Sequence, residues 1–413
     1  MRSMSNTILA LLAGALLAGS YGGDVARADE APADPTRGQW DSFLDPLRDV
    51  EDHVTDGQKW VEDNSKIHLG AGIDKNYLHS FNDPDSDLLT LHSLDPDTGG
   101  GEFDFAQLSA SRPSEGWFVP GFGVKFGFGR AAKRYKADWN GNGSLAVGDT
   151  FEKNSFEVQE AYLNWTVPDD SPVLKGTTFK GGKFVTLLGA EVIEPWANYN
   201  YSRSFLFGLA IPFTHTGGLV TIPITEQLSA TGGVIVGWDN VGDNNRDPSG
   251  IGNLTWTPTS MVTLALNGIY GSEQTGVTRN KRGIVDAVAT IKATDALTFV
   301  LNYDYAREER AVGRSTPATW QGFALVANYA FTDRFSSAFR GEWFEDQQGV
   351  RTGTGQTLWE TTLTTKYLIT QHLYGQVEYR HDESSDGVFE ADGGGKALRG
   401  NDIIGFVFTY LWT

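Results

Sequence analysis

After Lys66 the chain runs as segments of about ten residues in which apolar side chains alternate with small or polar ones, and this period of two restricts the fold more than any other feature. The clearest segment sets Phe118, Phe122, Val124, Phe126 and Phe128 against Gly121, Gly123, Lys125, Gly127 and Gly129. Successive strand side chains point to opposite faces, so such a segment has one greasy face and one nearly bare face. A soluble core gains little from glycines turned towards it. A strand with lipid outside and a lumen inside accommodates both faces. The last stretch, Asn401 to Thr413, places Ile404, Phe406, Phe408, Tyr410 and Trp412 on one face and Ile403, Gly405, Val407, Thr409 and Leu411 on the other. Taken alone, it also fits a buried closing strand of a soluble sandwich.

Further alternating segments are expected at Ile67 to Ile73, Phe103 onwards, Phe156 to Val167, Phe179 to Leu188, Thr216 to Ile224, Leu228 to Trp238, Ile251 to Thr257, Val262 to Tyr270 and Ile284 to Ile291. Leu297 to Tyr305, Trp320 to Phe331, Phe335 to Phe344, Thr357 to Tyr367 and Leu373 to Tyr379 continue the series. Tight turns such as Pro258-Thr259-Ser260, Thr332-Asp333 and Ile369-Thr370-Gln371 alternate with long connections: Asn82 to Gly101, Trp238 to Ser249, Arg307 to Ala318, Glu345 to Gly355 and His381 to Gly400. Lipid offers no hydrogen bonds, so a spanning sheet must close on itself, and its strands need only one apolar face. A mean hydropathy of −0.30 is therefore compatible with a membrane protein. The expected fold is all-β, a closed antiparallel transmembrane β-barrel of about 16 strands with long extracellular loops and short periplasmic turns. The last strand should pair with the first, near Ile67 to Ile73.

The amino terminus carries Arg2, an apolar run from Ile8 to Ala18 and Ala26-Arg27-Ala28, the pattern of a cleaved export signal over residues 1–28. Residues 29–64 form an acidic leader, expected to lie in the periplasm with one short helix on which Phe43, Leu47, Val50 and Val54 share a face behind Asp45-Pro46. The barrel takes residues 65–413. Zero cysteines in an exported chain mean no disulfide framework and no thiolate chemistry. A net charge of −19 argues against a nucleic-acid partner, because phosphate binding needs concentrated Lys and Arg.

The most distinctive run is Gly181 to Gly218, GGKFVTLLGAEVIEPWANYNYSRSFLFGLAIPFTHTGG. Through Gly182, Lys183, Phe184, Gly189, Glu191, Glu194, Pro195, Asn198, Ser202, Arg203, Ser204, Pro212, Phe213, His215, Thr216 and Gly217 it resembles the OmpL-like β-barrel porin family, and the likeness extends over most of the chain after about Trp60. The final strand is similar to the closing strand of Gram-negative outer-membrane barrels. These resemblances imply an outer-membrane channel without naming its solute.

The part from Gly189 to Ile211 is too long and too aromatic for a solvated loop, since Phe205, Leu206, Phe207, Leu209 and Ile211 call for burial. It is expected to fold into the barrel mouth or lumen and to narrow the pore. Glu191 and Glu194, with Arg203 and His215 on the same run, would then face Lys125, Lys183, Arg340 and Arg380, which strand parity turns inward with Glu342 and Glu378. Opposed charges at a constriction create a transverse field that selects solutes. The same charges could instead pair and hold the loop in place, and the two roles are compatible.

Asp138, Asn140, Asn142, Ser144 and Asp149 fall at the ligand offsets of a calcium loop, with Gly143 at the turn; an Asn-Gly turn cluster is the competing reading. No cofactor is otherwise called for, beyond Ca2+ in this extracellular loop. HExxH, GxSxG and Walker sequences are absent, and His215 with Ser202 or Ser204 is the only hydrolase candidate within the Gly181 to Gly218 run, so the sequence reads as no enzyme. The expected function is passive diffusion of small hydrophilic solutes or ions through a Gram-negative outer membrane. The alternatives are a substrate-specific uptake channel, a barrel partnering another outer-membrane component, and a secreted soluble β-sandwich binding protein. Expected partners are outer-membrane lipid and lipopolysaccharide, the barrel assembly machinery through the C-terminal strand, and two further copies in a homotrimer.

Overall fold

A computed structural model describes residues 51 and 55–412 except 96, 100–103, 117, 136, 139–155, 172–173, 314 and 395–396. The expected export signal, most of the acidic leader with its anticipated helix positions, and Phe103 lie outside the described residues. The chain divides into two units, residues 1–69 and 70–413. In the first, residues 55–65 are helical, and the Gln58 amide donates to the Leu69 carbonyl at 2.8 Å.

The strands are β1 (His68–Ser80), β2 (Phe105–Arg112), β3 (Gly121–Phe128), β4 (Phe156–Thr166), β5 (Thr178–Val185), β6 (Thr214–Pro223), β7 (Leu228–Ile235) and β8 (Ser249–Thr259). They continue as β9 (Val262–Gly271), β10 (Arg282–Lys292), β11 (Leu297–Val312), β12 (Thr316–Ala330), β13 (Phe335–Asp346), β14 (Gln356–Leu368), β15 (Leu373–Ser384) and β16 (Gly400–Trp412). Each neighbours the next, and β16 closes on β1, giving a 16-stranded antiparallel barrel. No described helix is long and apolar enough to cross a membrane.

The closing seam pairs Ile73 with Tyr410, Tyr77 with Phe406 and Ser80 with Ile403, so β1 is longer than its apolar alternation suggested. Phe406 and Phe408 project outwards, while Ile403 and Val407 pack inside against Leu78, Leu89 and Tyr201. Two further expectations are corrected. Phe118 is not part of β3: it is 95 % exposed in the connection before Gly121. The stretch Arg307 to Ala318 is not a long loop, because β11 and β12 extend to Val312 and from Thr316 around a short turn, with a register shift between Glu308 and Val312. Beyond the lipid the hydrogen-bond ladder needs no apolar face, so alternation ended at Tyr305 while the sheet continued.

Glycine on the inner wall has a steric cause. A Cβ at Gly127 would lie 1.8 Å from the Tyr135 hydroxyl, and one at Gly123 would lie 2.4 Å from the Tyr162 ring. One rung of the inner wall is apolar. Ile251, Ile269 and Ile284 are register partners across β8, β9 and β10, and Ala306 and Trp320 extend this rung into β11 and β12. All are buried in one cluster with Phe205, Leu206, Phe207, Ala210 and Ile211 from the connection between β5 and β6. Burial of each large side chain contributes about 1.5–3 kcal/mol, and it is the connection, not water, that covers the rung.

Candidate functional site

Residues 186–213, which join β5 to β6, fold into the barrel rather than over it. Their aromatic and aliphatic side chains land on the isoleucine rung, and Leu206–Ala210 form a π-helical turn against β12. A lumen-directed loop needs partners for its backbone groups, since unpaired polar groups out of water are costly. The wall supplies them. Glu342 accepts from the Phe205 and Leu206 amides at 2.7 and 2.5 Å, and Glu378 from the Tyr201 and Ser202 amides at 2.7 and 3.0 Å. The Trp320 indole donates to the Ala210 carbonyl at 3.0 Å, and the Ala190 amide donates to Asn302 at 3.0 Å.

The expected charges meet here, each with its own partner. Arg340, fully buried, donates to Glu191 at 2.7 Å, to Glu360 at 2.5 Å and to the Ser202 carbonyl at 2.6 Å. Glu191 also accepts from the Ser204 amide and hydroxyl. Arg380 donates to Asp382 at 2.6 Å and to the Arg203 carbonyl at 2.7 Å, with its guanidinium 4.8 Å from the Phe205 ring centre. Glu194 accepts from Lys125 at 3.0 Å, Gln107 at 2.9 Å and Gln159 at 3.0 Å, and Lys125 also pairs with Glu160 at 3.0 Å. Arg203 spends its guanidinium on the loop's own carbonyls, those of Val192, Ile193 and Tyr201. Lys183 pairs with Glu157 on β4, away from Glu191 and Glu194. His215 is buried between the Gly237 carbonyl at 2.9 Å and the Thr186 hydroxyl at 3.1 Å, while the Ser204 hydroxyl bonds to Glu191. A second connection is tied to the same wall, where His92 lies between Asp95 at 3.2 Å and Asp382 at 3.0 Å.

Of the calcium-loop residues only Asp138 is described. Its amide donates to the Asp239 carbonyl at 2.6 Å, and it forms a bridge with Asn240. Asn140, Asn142, Ser144 and Asp149 lie outside the described residues. The sequence reading missed Glu360, Gln107, Gln159, Asn302 and Trp320. Glu360 shares the inward face of β14 with Thr362 and Thr364, so parity alone could have found it.

Burial pushes the Glu194 carboxyl up, but the neighbouring Lys125 ammonium and the amide donors outweigh it and hold the group below the ordinary glutamate value. A depressed carboxylate stabilises the fold above its unfolded value and loses that contribution as pH falls through the folded one. Open-channel current noise of the wild type should therefore stay low through the ordinary glutamate range, about 4, and rise only as pH drops below it, while Glu194→Gln should be equally noisy at every pH. Parallel pH responses of the two proteins would count against the Glu194 tether.

Residues 66–410 match the model of the family described as "Putative beta-barrel porin-2, OmpL-like", and the chain belongs to that family. No curated protein sequence matches it. Among solved structures it is similar to an anion-selective porin from Comamonas acidovorans, with 9 % identity, 84 % of this chain and 99 % of that one covered, and a TM-score of 0.55. It is similar also to the outer-membrane channel DcaP of Acinetobacter baumannii, with 11 % identity, 84 % and 97 % coverage and a TM-score of 0.56. Pseudomonas putida OprB aligns at 10 % identity over 86 % of this chain and 96 % of its own, with a TM-score of 0.55. At such identities the likeness concerns the fold, and the family assignment makes the chain an outer-membrane porin of the Gram-negative type.

Proposed function

We propose that this porin is a passive diffusion channel whose bore is set by residues 186–213, folded inside the barrel and fastened to its wall. The observation that carries the reading is the division of that loop into a bonded side and a wet side. Glu191, Glu194, Tyr201, Ser202, Phe205 and Leu206 are fixed to the wall, whereas Val192, Ala197 and Tyr199 are exposed to water. A loop held so firmly narrows the lumen without a moving part, which suits solutes running down their gradients. The paired charges act first as fastenings, and whatever transverse field they retain is that of closed ion pairs. Export of the chain by cleavage of residues 1–28, contact of the outer face with lipid and lipopolysaccharide, and assembly as a homotrimer complete the reading.

Reconstitution in planar bilayers tests it. Discrete conductance steps, with flux nearly linear in concentration for many small solutes, are the expected result. Steep saturation by one solute would replace the general pore by a specific uptake channel, and no steps at all would overturn the channel reading.

A further inference from the structure

The inner wall is electrically uneven along its length. Over the four strand residues nearest each short turn, the inward positions are mostly hydroxyls, amides and glycine, such as Ser111, Thr178, Thr221, Thr231, Thr290 and Thr298. The charged side chains among them are Lys180 on β5, Lys292 on β10 and Lys366 on β14, and no carboxylate occupies any of these positions. Their facing follows from register: Lys180 lies opposite buried Leu219, Lys366 opposite buried Gln376, and Lys292 shares a face with buried Ile284.

None of the three forms an ion pair with a described residue. Lys180 Nζ lies 4.3 Å from the centre of the Tyr162 ring, and Lys366 Nζ lies 3.7 Å from that of Tyr374. A tyrosine face holds an ammonium through a quadrupole, whose field decays much faster than that of a carboxylate. The positive charge is thus held in place without being neutralised. Of the inward carboxylates deeper in the barrel, Glu157, Glu160, Glu360 and Asp382 are buried against Lys or Arg, Glu342 and Glu378 against loop amides, and Asp286 against the Asn267 and Asn302 amides, with Asp304 buried opposite Asp286. Asp169, Asp170, Glu226, Asp295 and Asp333 sit beyond the strand ends in exposed turns, where salt screens them over about 8 Å.

Resting on the channel reading above, we propose that the short-turn end of the lumen selects small anionic solutes over cations through Lys180, Lys292 and Lys366. The strands β5, β10 and β14 divide the sixteen-strand wall into arcs of five, four and seven strands, so the three ammoniums are spread around the wall instead of clustered on one side. Partial burial of Lys180 and Lys366 in a low-dielectric wall strengthens their fields relative to bulk water, while Lys292 is exposed at the end of β10. The protein's overall charge of −19 does not oppose this, because selection is set by the charges that the permeating ion meets.

The test is the reversal potential of the refolded mature chain in a planar bilayer under a KCl gradient. The expected sign is that of chloride crossing faster than potassium. Lys180→Gln with Lys366→Gln should lower the anion-to-cation permeability ratio by at least about fivefold, the effect of a single unit charge at contact distance in water on one ion, and Lys→Glu at all three positions should invert the sign. A zero or potassium-favouring potential in the wild type would overturn the proposal, as would a double Gln variant with unchanged selectivity. Should the triple variant not refold, the wild-type sign and the single Lys366→Gln shift still decide. Absence of conductance steps overturns the channel reading instead, which separates the two failures.

Discussion

Arg340→Ala is expected to release the lumen loop, raising single-channel conductance and open-channel noise and lowering stability by about 3–5 kcal/mol, the range found when one partner of a buried ion pair is removed. The guanidinium has no water contact and holds loop and wall at once: Glu191 and the Ser202 carbonyl and hydroxyl on the loop, and Glu360 and the Thr362 hydroxyl on the wall. Alanine would leave Glu360 in the wall with only the Thr362 hydroxyl and Arg380 at 3.8 Å, and Glu191 could regain solvent only by leaving its seat. Either response moves the segment that bears Val192 and Tyr199, the water-facing edge of the bore. Arg340→Lys keeps the charge but offers no planar fork, so it should fall between wild type and alanine. Conductance in planar bilayers and the denaturant midpoint of the detergent-solubilised barrel measure the two effects. Wild-type values for both in Arg340→Ala would remove Arg340 from the fastening and leave the loop held by its apolar contacts alone.

The barrel was legible because lipid imposes a rule that acts residue by residue. Phe122, Val124, Phe126 and Phe128 alternate with glycine since one face meets hydrocarbon and the other meets Tyr135 and Tyr162. The inward turn of 186–213 was legible for a similar reason, as Phe205 to Ile211 had to be buried somewhere. The partners inside the lumen were less so. Parity places Arg340, Glu342, Glu378 and Arg380 on the inner face, but the loop backbone that meets them depends on how the segment crosses the barrel. Lys183 shows the limit: Gly182 adopts a positive φ of 135°, the local twist departs from simple alternation, and the ammonium ends against Glu157. The β11–β12 hairpin shows another, because hydrogen-bonded pairing beyond the membrane leaves no mark in hydropathy. The inward isoleucine rung was hidden too, since apolar residues on both faces look the same in the sequence whether a loop or lipid covers them.

Removal of Ile404 to Thr413 should abolish the folded barrel altogether. The truncation takes away all but one of the residues that pair with β1, leaving Ser80 opposite Ile403, and most of those that pair with β15. Two strands would then present open edges at membrane depth, where each unsatisfied amide or carbonyl costs several kcal/mol. The cost summed along both edges exceeds the whole stability of an ordinary domain, about 5–15 kcal/mol. Closure by β1 directly on β15 offers no escape: β1 and β15 both run from the short-turn side to the long-loop side, so such a pair would be parallel, and Leu78 and Leu89 would lose Ile403's neighbour Val407 from their cluster. The measurement is migration on gels without heating, where a closed barrel runs ahead of its denatured form. The truncated chain is expected only at the denatured position, whereas Phe408→Leu, which keeps the ladder and an apolar outer face, should still migrate as a barrel. A heat-modifiable band from the truncation would show that β16 is dispensable for closure, and the seam it forms with β1 would then be a consequence of folding instead of its condition.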